Sequence, residues 1–379
     1  MSPVLQTLAD LVRINSINSA YDGGPGEKDM AAYVRRFFEQ RGIEVWEQEV
    51  FPGRNNVIAR IPGLNPARRL VFEAHMDTVS IKGMTIDPFD PVIRDGKLHG
   101  RGSVDDKAGL AAMMHAVADI HASGEPPPSE IWLAAVVDEE YSFRGVVKLC
   151  EDLQAHAAVV AEPTEFKCVI ASKGVLRWRI KTRGKAAHSS KPHLGINAIT
   201  AMSRVVLALN EDHQRMAHTP HPLLGPGTCN VGVINGGVQV NFVPDEATIE
   251  IDRRLLPGEE VDTVLAHYQS LLDALMQQHP DVIAEMETPP MLQDWPFQTD
   301  ATAPLVHLAQ DILRQMHRDP TPTGVPFGSD ASKFSRLTIP TLLFGPGSID
   351  QAHAAVEYVE CAEVEAAQSF YMQIARRFI

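Results

Sequence analysis

Histidine and carboxylate side chains follow the apolar runs of this sequence at positions where buried strands would end. His75 comes directly after LVFEA, and Glu162 comes directly after AHAAVVA. In open α/β sheets ligands bind beyond the carboxyl ends of the strands, so we expect these side chains to meet at one edge of a sheet. With two aspartates at the start of a predicted helix, the full set is His75, Asp77, Asp105, Asp106, Asp138, Glu139, Glu140, Glu162 and His353.

These residue types together indicate metal chemistry. Two imidazoles and several carboxylates suit Zn²⁺ and neighbouring divalent ions. So many acidic groups in one place would repel one another unless cations neutralised them. Two ions that share one carboxylate would use the whole set, and a carboxylate left over beside them could act as a base towards water. The pattern therefore predicts a two-metal hydrolytic site.

Each segment taken alone has a simpler interpretation. Asp105 and Asp106 could be helix N-caps, which is the commonest use of aspartate at that position. Glu139 and Glu140 could be a solvated strand end, and a lone His75 is a satisfied polar residue about four times as often as it is a ligand. Together, these interpretations require separate segments to carry ligand chemistry at equivalent positions by chance, so we favour the shared site.

The elements that must position this set alternate between strands and helices in the first part of the chain. Apolar runs such as WLAAVV and AAVVA predict central strands covered on both faces, as in α/β domains. From residue 173 to residue 290 the strands alternate apolar and charged residues, and the order βαββαβ predicts a ferredoxin-like α+β unit. We therefore predict one α/β domain, residues 1–172 and 291–379, split by an inserted domain, residues 173–290.

Composition argues against several classes of protein. The 379 residues include 48 acidic and 34 basic side chains, and the net charge of −14 disfavours nucleic acid and anionic membrane surfaces as partners. No apolar run reaches the roughly 18 residues that suggest a membrane span. The N-terminal MSPVLQTLADLVRIN lacks the layout of a signal peptide, and the cysteines form no CxxC pair. We therefore expect a cytoplasmic protein with free thiols.

Five stretches resemble the motifs of the M20 metallopeptidases and their amidohydrolase relatives. They are HMDT (75–78), GRGSVDDKAG (100–109), DEE (138–140), AEPT (161–164) and GPGSIDQAH (345–353). Their order and spacing fit the family along almost the whole chain. The resemblance implies a zinc-peptidase-like catalytic domain, in which helices flank a mixed sheet, and an inserted domain that serves as a lid and a dimerisation surface.

The resemblance also implies a role for each member of the set. The metal ligands would be His75 and Glu162 for one ion, Glu140 and His353 for the other, and Asp105 as the bridge between them. Glu139 would be the general base that takes a proton from water. Asp77 would hydrogen-bond the imidazole of His75 and so fix its tautomer. Such sites commonly take two zinc ions, and cobalt or manganese can substitute.

In the inserted domain, AAHSSKP resembles the family segment whose histidine reaches into the site of a partner subunit. His188 would then stabilise the oxyanion, and the enzyme would be a homodimer. GGVQVNFVP and DRRLLPG resemble segments that bind the substrate carboxylate, which indicates Asn241 and Arg254. The adjacent Arg253 stays an alternative. Neighbouring residues of a strand point to opposite faces, so only one of the two arginines could face the substrate. A solvated strand end stays possible for both arginines.

The C-terminal GPGSIDQAHAAVEYVE looks most like the acetylornithine deacetylases, which remove an N-acetyl group during arginine synthesis. We therefore expect an N-acyl amino acid or a short peptide as substrate, with N-acetylornithine first. Succinyl-diaminopimelate desuccinylases, aminoacylases and glutamate-releasing carboxypeptidases share the metal set and stay alternatives. An inactive metal-binding homologue is an alternative of another class, although the base and all the ligands are present. The substrate pocket could be lined by Tyr141, Ser329, Asp330 and Lys333.

Overall fold

The computed structural model describes residues 1–379. Its helices are α1 (Pro3–Arg13), α2 (Lys28–Glu39), α3 (Lys107–Ala122), α4 (Arg144–Cys150), α5 (Ala198–Met216), α6 (Val261–Gln278), α7 (Pro304–Gln315), α8 (Ala331–Arg336) and α9 (Cys361–Arg377). Its strands are β1 (Glu44–Phe51), β2 (Arg54–Ile61), β3 (Asn65–His75), β4 (Val92–Arg94), β5 (Lys97–His99), β6 (Ser129–Val136), β7 (Ala157–Val160), β8 (Cys168–Ser172), β9 (Gly174–Arg183), β10 (Ala187–His188), β11 (Thr228–Gly236), β12 (Phe242–Val243), β13 (Glu246–Leu255), β14 (Ile283–Met286), β15 (Leu292–Asp294), β16 (Phe297–Gln298), β17 (Pro322–Val325), β18 (Thr341–Leu343) and β19 (Tyr358–Glu360).

The chain divides into two compact units. The first unit contains Met1–Ile170, Gln298–Thr323 and Ser329–Ile379, and the second contains Ala171–Phe297 and Gly324–Gly328. The inserted domain was expected to end at residue 290, whereas the second unit also includes β15. The reason is pairing, because Leu292 and Asp294 of β15 lie opposite Arg177 and Val175 of β9. The division into a catalytic and a lid domain stays a prediction.

A mixed sheet forms the centre of the first unit. Its strands run in the order β1-β2-β6-β3-β7-β18-β8-β16. β6, β3, β7 and β18 are parallel neighbours, while β1 and β2 join them antiparallel at one side. These four parallel strands are the apolar runs of the sequence, and residues 70–75 of β3 and all of β7 and β18 are buried. Burial of both strand faces explains why the runs contain so few polar residues.

Helices pack on both faces of this sheet. On one face the ring of Phe72 in β3 meets Tyr371 of α9, with ring centroids 5.7 Å apart. α3 lies against α9, α1 and the sheet, and its Ala- and Met-rich surface is buried nearly all round. Glu73, the next residue of β3, points to the opposite face, where α4 and α8 pack against each other. The mixed sheet flanked by helices confirms the predicted α/β class.

The second unit is an antiparallel sheet with two helices. Its strands run in the order β11-β13-β9-β14, and β15 also pairs with β9. α5 and α6 cover one face, where Trp178 of β9 and Met202 of α5 share a buried core. The other face carries cross-strand ion pairs such as Arg177 to Asp252, at 2.8 Å. The succession β9-α5-β11-β13-α6-β14 is the predicted βαββαβ order and confirms the ferredoxin-like pattern.

None of the helices combines the length and the apolar character that crossing a bilayer requires. The four cysteines, Cys150, Cys168, Cys229 and Cys361, form no disulfide bond.

Candidate metal centre

The carboxyl ends of the four parallel strands lie at the same edge of the main sheet. β3 ends at His75, which pairs in register with Val136 at the end of β6, and Glu73 pairs with Val160 at the end of β7. The chain then turns sharply at Asp138, beyond β6, and at His353, beyond β18, where φ is 72° and 58°. Such left-handed conformations are strained for residues other than glycine and are frequent at functional sites. The strand ends thus deliver the predicted ligands to one place.

Asp105 lies at the centre of the cluster, just before α3. Its Oδ1 lies 3.0 Å from Nε2 of His75, and its Oδ2 lies 3.3 Å from Nε2 of His353. His353 Nε2 also lies 3.2 Å from Oε1 of Glu140. Ligand atoms of His75, Asp105 and Glu140 all fall within 4.8 Å of one another. Each carboxylate oxygen of Asp105 therefore faces a different imidazole, which is the arrangement that a carboxylate shared by two ions requires.

The imidazole of His75 is oriented by a backbone group. Its Nδ1 lies 3.0 Å from the carbonyl oxygen of Asp77, whereas the Asp77 carboxylate is 3.7 Å away. An imidazole that donates Nδ1–H to this carbonyl presents the Nε2 lone pair to the site. Residue 77 is thus the expected partner of His75, but through its backbone. The carboxylate is engaged elsewhere, as described below.

The negative charges of the clustered carboxylates require compensation by cations. Burial raises the pKa of Glu139 well above its usual value, and the nearby carboxylate of Glu140 adds to the shift. Burial likewise raises the pKa of Glu162, with further contributions from Asp105 and Glu139. Hydrogen bonds to Asp105 and Glu140 raise the pKa of His353 to about 10. Buried carboxylates that repel one another, with imidazoles held protonated between them, are the donor set that divalent ions would stabilise, so the residues fit a two-metal site.

The charge state of Asp105 is consistent with this arrangement. Burial alone would raise its pKa, but hydrogen bonds from His353 and His75 outweigh burial and hold the pKa well below its usual range. Asp105 is therefore ionised whenever the imidazoles are charged. A divalent ion at each oxygen could replace the positive charges of the two imidazoles and would still balance the negative charge of the Asp105 carboxylate.

A network that the sequence did not predict supports the loop of Glu139 and Glu140. The Asp77 carboxylate accepts hydrogen bonds from the backbone amides of both glutamates, each at 3.1 Å. It also accepts a bond of 2.8 Å from the side chain of Asn18. No local pattern in RINSINS distinguishes Asn18 from any other polar loop residue, because its partners lie far along the chain.

The residues proposed to line the pocket divide into two groups. Ser329, Asp330 and Lys333 are buried in the first unit, and Nζ of Lys333 lies 3.5 Å from the centroid of the Phe143 ring. Tyr141 is exposed and meets Tyr21 edge to face, with centroids 6.3 Å apart. Of the four side chains, Tyr141 is therefore the one that is open to solvent.

The other predicted site residues, His188, Asn241 and Arg254, belong to the second unit. His188 is exposed on β10, with Nδ1 at 2.8 Å from Oγ of Ser190. Asn241 lies nearby, because its carbonyl accepts a bond of 3.0 Å from the amide that follows His188. Arg254 donates to Asp252 at 2.8 Å on the sheet face opposite the helices.

Arg253, the alternative to Arg254, has a different environment. Its side chain is only 5% exposed, and it donates to Glu259 at 2.5 Å. It lines a cavity together with Asp212 of α5 and Tyr268 of α6, on the helix-covered face of the sheet. The two arginines therefore point to opposite faces, as the strand alternation predicted.

Comparison with known proteins gives consistent matches. Residues 71–377 match the sequence profile of peptidase family M20/M25/M40. A peptidase M20 domain-containing protein of Schizosaccharomyces pombe is 29% identical over 360 residues, which cover 93% of this chain and 79% of that protein. An acetylornithine deacetylase of Pectobacterium atrosepticum is 28% identical over 350 residues, which cover 90% of this chain and 88% of that protein.

Solved structures show the same fold. A tripeptidase from Staphylococcus aureus superposes with a TM-score of 0.79 at 22% identity, covering 98% of this chain and 97% of that chain. A dinuclear metal binding peptidase of the M20 family from Bacillus subtilis gives a TM-score of 0.75 at 17% identity, covering 98% and 96%. Fold, ligand cluster and matches together define a metal-dependent hydrolase of amide bonds. The chain belongs to peptidase family M20/M25/M40.

Proposed function

We propose that this protein hydrolyses the amide bond of an N-acyl amino acid with two divalent metal ions, and that N-acetylornithine is its first candidate substrate. The observation that carries the two-metal proposal is the geometry of Asp105, whose oxygens face His75 at 3.0 Å and His353 at 3.3 Å. A carboxylate placed in this way serves one ion with each oxygen. A single ion could also use two imidazoles, but here the two imidazoles face different oxygens of the carboxylate, which favours two ions.

The residues that would hold the ions are those of the cluster. His75, Glu162 and Asp105 would bind one ion, and Asp105, Glu140 and His353 would bind the other. The set contains imidazole and carboxylate donors without thiolates, which suits zinc and also cobalt and manganese. When bound, the ions supply Lewis acidity that polarises the scissile carbonyl and acidifies water.

Glu139 would move the proton. It adjoins Glu140 at the cluster, and its raised pKa, caused first by burial, suits a group that must accept and then release a proton. Its carboxylate would take a proton from the attacking water and deliver it to the amide nitrogen as the carbon–nitrogen bond breaks. A free carboxylate and an amine then leave.

The second unit would bind the rest of the substrate. His188 would donate a hydrogen bond to the carbonyl oxygen as negative charge develops there. Asn241 and Arg254 would bind the substrate carboxylate. Arg254 is favoured because it lies on the open face of the sheet, whereas Arg253 is buried on the helix-covered face.

We also propose a homodimer, in which His188 serves the site of the partner subunit. β11 is an edge strand of the second unit, and it exposes the apolar side chains of Val233 (41%) and Ile234 (58%). An apolar edge strand offers unpaired backbone groups to a second chain. Pairing of two copies along β11 would bury the exposed apolar side chains and would satisfy the unpaired backbone groups.

The choice of substrate rests on the relatives and on the C-terminal motif. The acetylornithine deacetylase of Pectobacterium atrosepticum shares 28% of its aligned residues with this chain. The test is a panel of N-acetylornithine, other N-acetyl amino acids, N-succinyl-diaminopimelate, acyl-glutamates and tripeptides, each assayed with zinc, cobalt and manganese. N-acetylornithine should give the highest kcat/KM. No turnover of any member with any of the three metals is the result that an inactive metal-binding homologue predicts, and it would contradict the proposed substrate.

A further inference from the structure

The segment between α1 and α2 runs beside the loop that follows His75. Ile17 and Thr78 form a parallel bridge, Asn18 N donates to the Thr78 carbonyl at 2.9 Å, and Thr78 N donates to the Ser16 carbonyl at 3.1 Å. These bonds fix the backbone of Asn18 against one of the loops that carry the proposed metal ligands. The side chain of Asn18 must then point in a defined direction.

That side chain lies between two carboxylates. Asn18 is fully buried, and its Nδ2 donates to Oδ2 of Asp77 at 2.8 Å and to Oδ1 of Asp138 at 3.0 Å. Its Oδ1 accepts a bond from Ala20 N at 2.9 Å, which fixes the orientation of the amide. An amide NH₂ group has two donors and no charge, so it can bridge two buried carboxylates whose negative charges would otherwise repel each other.

Both carboxylates in turn hold the backbone of the catalytic loop. Asp77 accepts the amides of Glu139 and Glu140, each at 3.1 Å. Asp138 is itself the residue before Glu139, and its left-handed φ of 72° sets the direction in which the loop leaves β6. Displacement of either carboxylate would therefore move the backbone that carries Glu139.

Asp138 is also held by an ion pair. Arg54 of β2 donates to Asp138 at 3.1 Å and to Glu27 at 2.6 Å, and Glu27 in turn accepts the Asp138 amide at 3.2 Å. Asp138 thus has the guanidinium of Arg54 as a second side-chain donor. Asp77 accepts a side-chain hydrogen bond from Asn18 and otherwise accepts backbone amides. Asn18 is thus a second connection between the two loops, beside the bonds from the Glu139 and Glu140 amides to Asp77.

We propose that Asn18 is a positioning residue for amide hydrolysis. Its side-chain amide joins Asp77 to Asp138 and thereby fixes the backbone on which Glu139 acts as base. This inference rests on the proposed function of Glu139. It predicts that changes at Asn18 reduce kcat more than substrate binding or metal content, because Asn18 contacts no proposed metal-ligand side chain and reaches Glu140 only through a backbone bond to Asp77.

The test compares Asn18→Asp and Asn18→Ala with the wild-type protein. Asn18→Asp keeps the shape and places a third carboxylate against the other two, while Asn18→Ala removes the donors without adding charge. Since small misplacement of a catalytic group costs up to about 100-fold, we expect kcat to fall about 10-fold for Asn18→Ala and about 100-fold for Asn18→Asp. KM should stay within about threefold, and metal content should equal that of the wild type.

A matched control lies in the same segment. Asn15 accepts a bond from Ile17 N at 3.1 Å but contacts no carboxylate, so Asn15→Asp should keep wild-type kcat. Thermal denaturation identifies a variant that does not fold. If Asn18→Asp does not fold, the kcat of Asn18→Ala is the result that tests the proposal. Wild-type kcat in folded Asn18→Ala, or losses confined to KM or to metal content, would overturn the proposal.

Glu139→Gln in the same assay separates this inference from the proposed function. An active Glu139→Gln protein removes Glu139 as base, whatever the Asn18 variants do. An inactive Glu139→Gln protein together with fully active Asn18 variants removes only the positioning role of Asn18.

Discussion

Asp77 holds Glu139 by its backbone, because Oδ1 of the aspartate accepts the amide of the glutamate at 3.1 Å. The same carboxylate accepts the amide of Glu140 through Oδ2, also at 3.1 Å. One side chain therefore fixes two consecutive residues, the proposed base and a proposed metal ligand. Meanwhile the carbonyl of Asp77 orients the imidazole of His75 at 3.0 Å. Asp77 thus acts on three members of the site without being a ligand itself.

The first prediction concerns this carboxylate. Asp77→Asn leaves one oxygen for two backbone amides and turns an NH₂ group towards another donor. Misplacement of the loop should lower kcat about 10-fold to 100-fold, as measured by steady-state hydrolysis of the best substrate. The exposed Asp87 offers the control, and Asp87→Asn should match the wild type. A kcat for Asp77→Asn within about threefold of the wild type would show that the backbone bonds do not position the base.

The second prediction separates the base from the ligands. Glu139→Gln keeps the size of the side chain and removes its capacity to accept a proton, so kcat should fall about 10² to 10⁴-fold. Metal content per chain, measured by elemental analysis, should stay at the wild-type value. Glu151→Gln, at an exposed glutamate of the same unit, is the matched control and should retain activity. Substantial activity in Glu139→Gln would mean that another group takes the proton.

The third prediction concerns the proposed bridge. Asp105→Asn replaces one carboxylate oxygen by an NH₂ group that cannot bind a cation, so both metal content and activity should fall. Elemental analysis after dialysis should give fewer ions per chain than in Glu139→Gln. Asp90→Asn, at an exposed loop residue, should bind metal normally. Two ions bound as tightly as in the wild type would contradict the bridging role.

The fourth prediction concerns the homodimer. If His188 serves the partner subunit, then mixing inactive Glu139→Gln protein with inactive His188→Ala protein should restore activity after subunit exchange. One site of each mixed dimer then combines an intact Glu139 with an intact His188. Unmixed variants processed in the same way are the controls. Recovery would be absent if His188 acted within its own chain, and an active monomer in light scattering would exclude the dimer.

The fifth prediction concerns stability and lies away from the metal centre. His115 of α3 is buried, meets Oγ1 of Thr7 at 2.8 Å and packs edge to face on Phe37, with centroids 5.2 Å apart. Burial lowers its pKa in the folded state. The unfolded chain, with a pKa of about 6.5, therefore binds the proton more readily. Stability that is present above about pH 6.5 should then be lost as pH falls towards the folded-state pKa.

The measurement is the thermal midpoint between about pH 8 and about pH 5.5. The midpoint should fall less in His115→Gln than in the wild type, since glutamine cannot be protonated. Loss of metal at low pH affects both proteins alike, and His121→Gln, at an exposed position of the same helix, should follow the wild type. Equal pH dependence in wild type and His115→Gln would refute the prediction.

Strand ends were predictable because a parallel sheet brings its carboxyl ends to one edge. The apolar runs before His75 and Glu162 therefore located two of the proposed ligands. The structure places Asp105 beside His75 and His353 beside Asp105, although the roles of these residues stay predictions. The structure places the carbonyl of Asp77, rather than its carboxylate, next to the His75 imidazole, and the sequence alone does not distinguish these two groups of one residue. Alternation along β9 located the ferredoxin-like unit, but no periodicity signals that Leu292 to Asp294 pair with β9.

Asn18 could not be found from sequence at all. Its contacts join residues 18, 77 and 138, and polar loop residues carry no periodicity that links such distant positions. Arg54 and Glu27 are similar, because a buried ion pair is indistinguishable in sequence from two solvated charges. Composition and spacing specify which residues can bind a metal, whereas the hydrogen bonds that hold them depend on tertiary packing.

The position of β18 in the main sheet has a consequence for biosynthesis. β18 lies between β7 and β8, although more than half of the chain has been made before its residues, Thr341–Leu343, leave the ribosome. Until then β7 and β8 lack the strand that joins them, and His353, which follows β18 in the chain, has not left the ribosome. The nascent chain can complete the second unit first, because all strands of its ferredoxin-like core precede β18. The proposed metal centre can therefore be completed only as a late event, after His75, Asp105, Glu140 and Glu162 have already emerged.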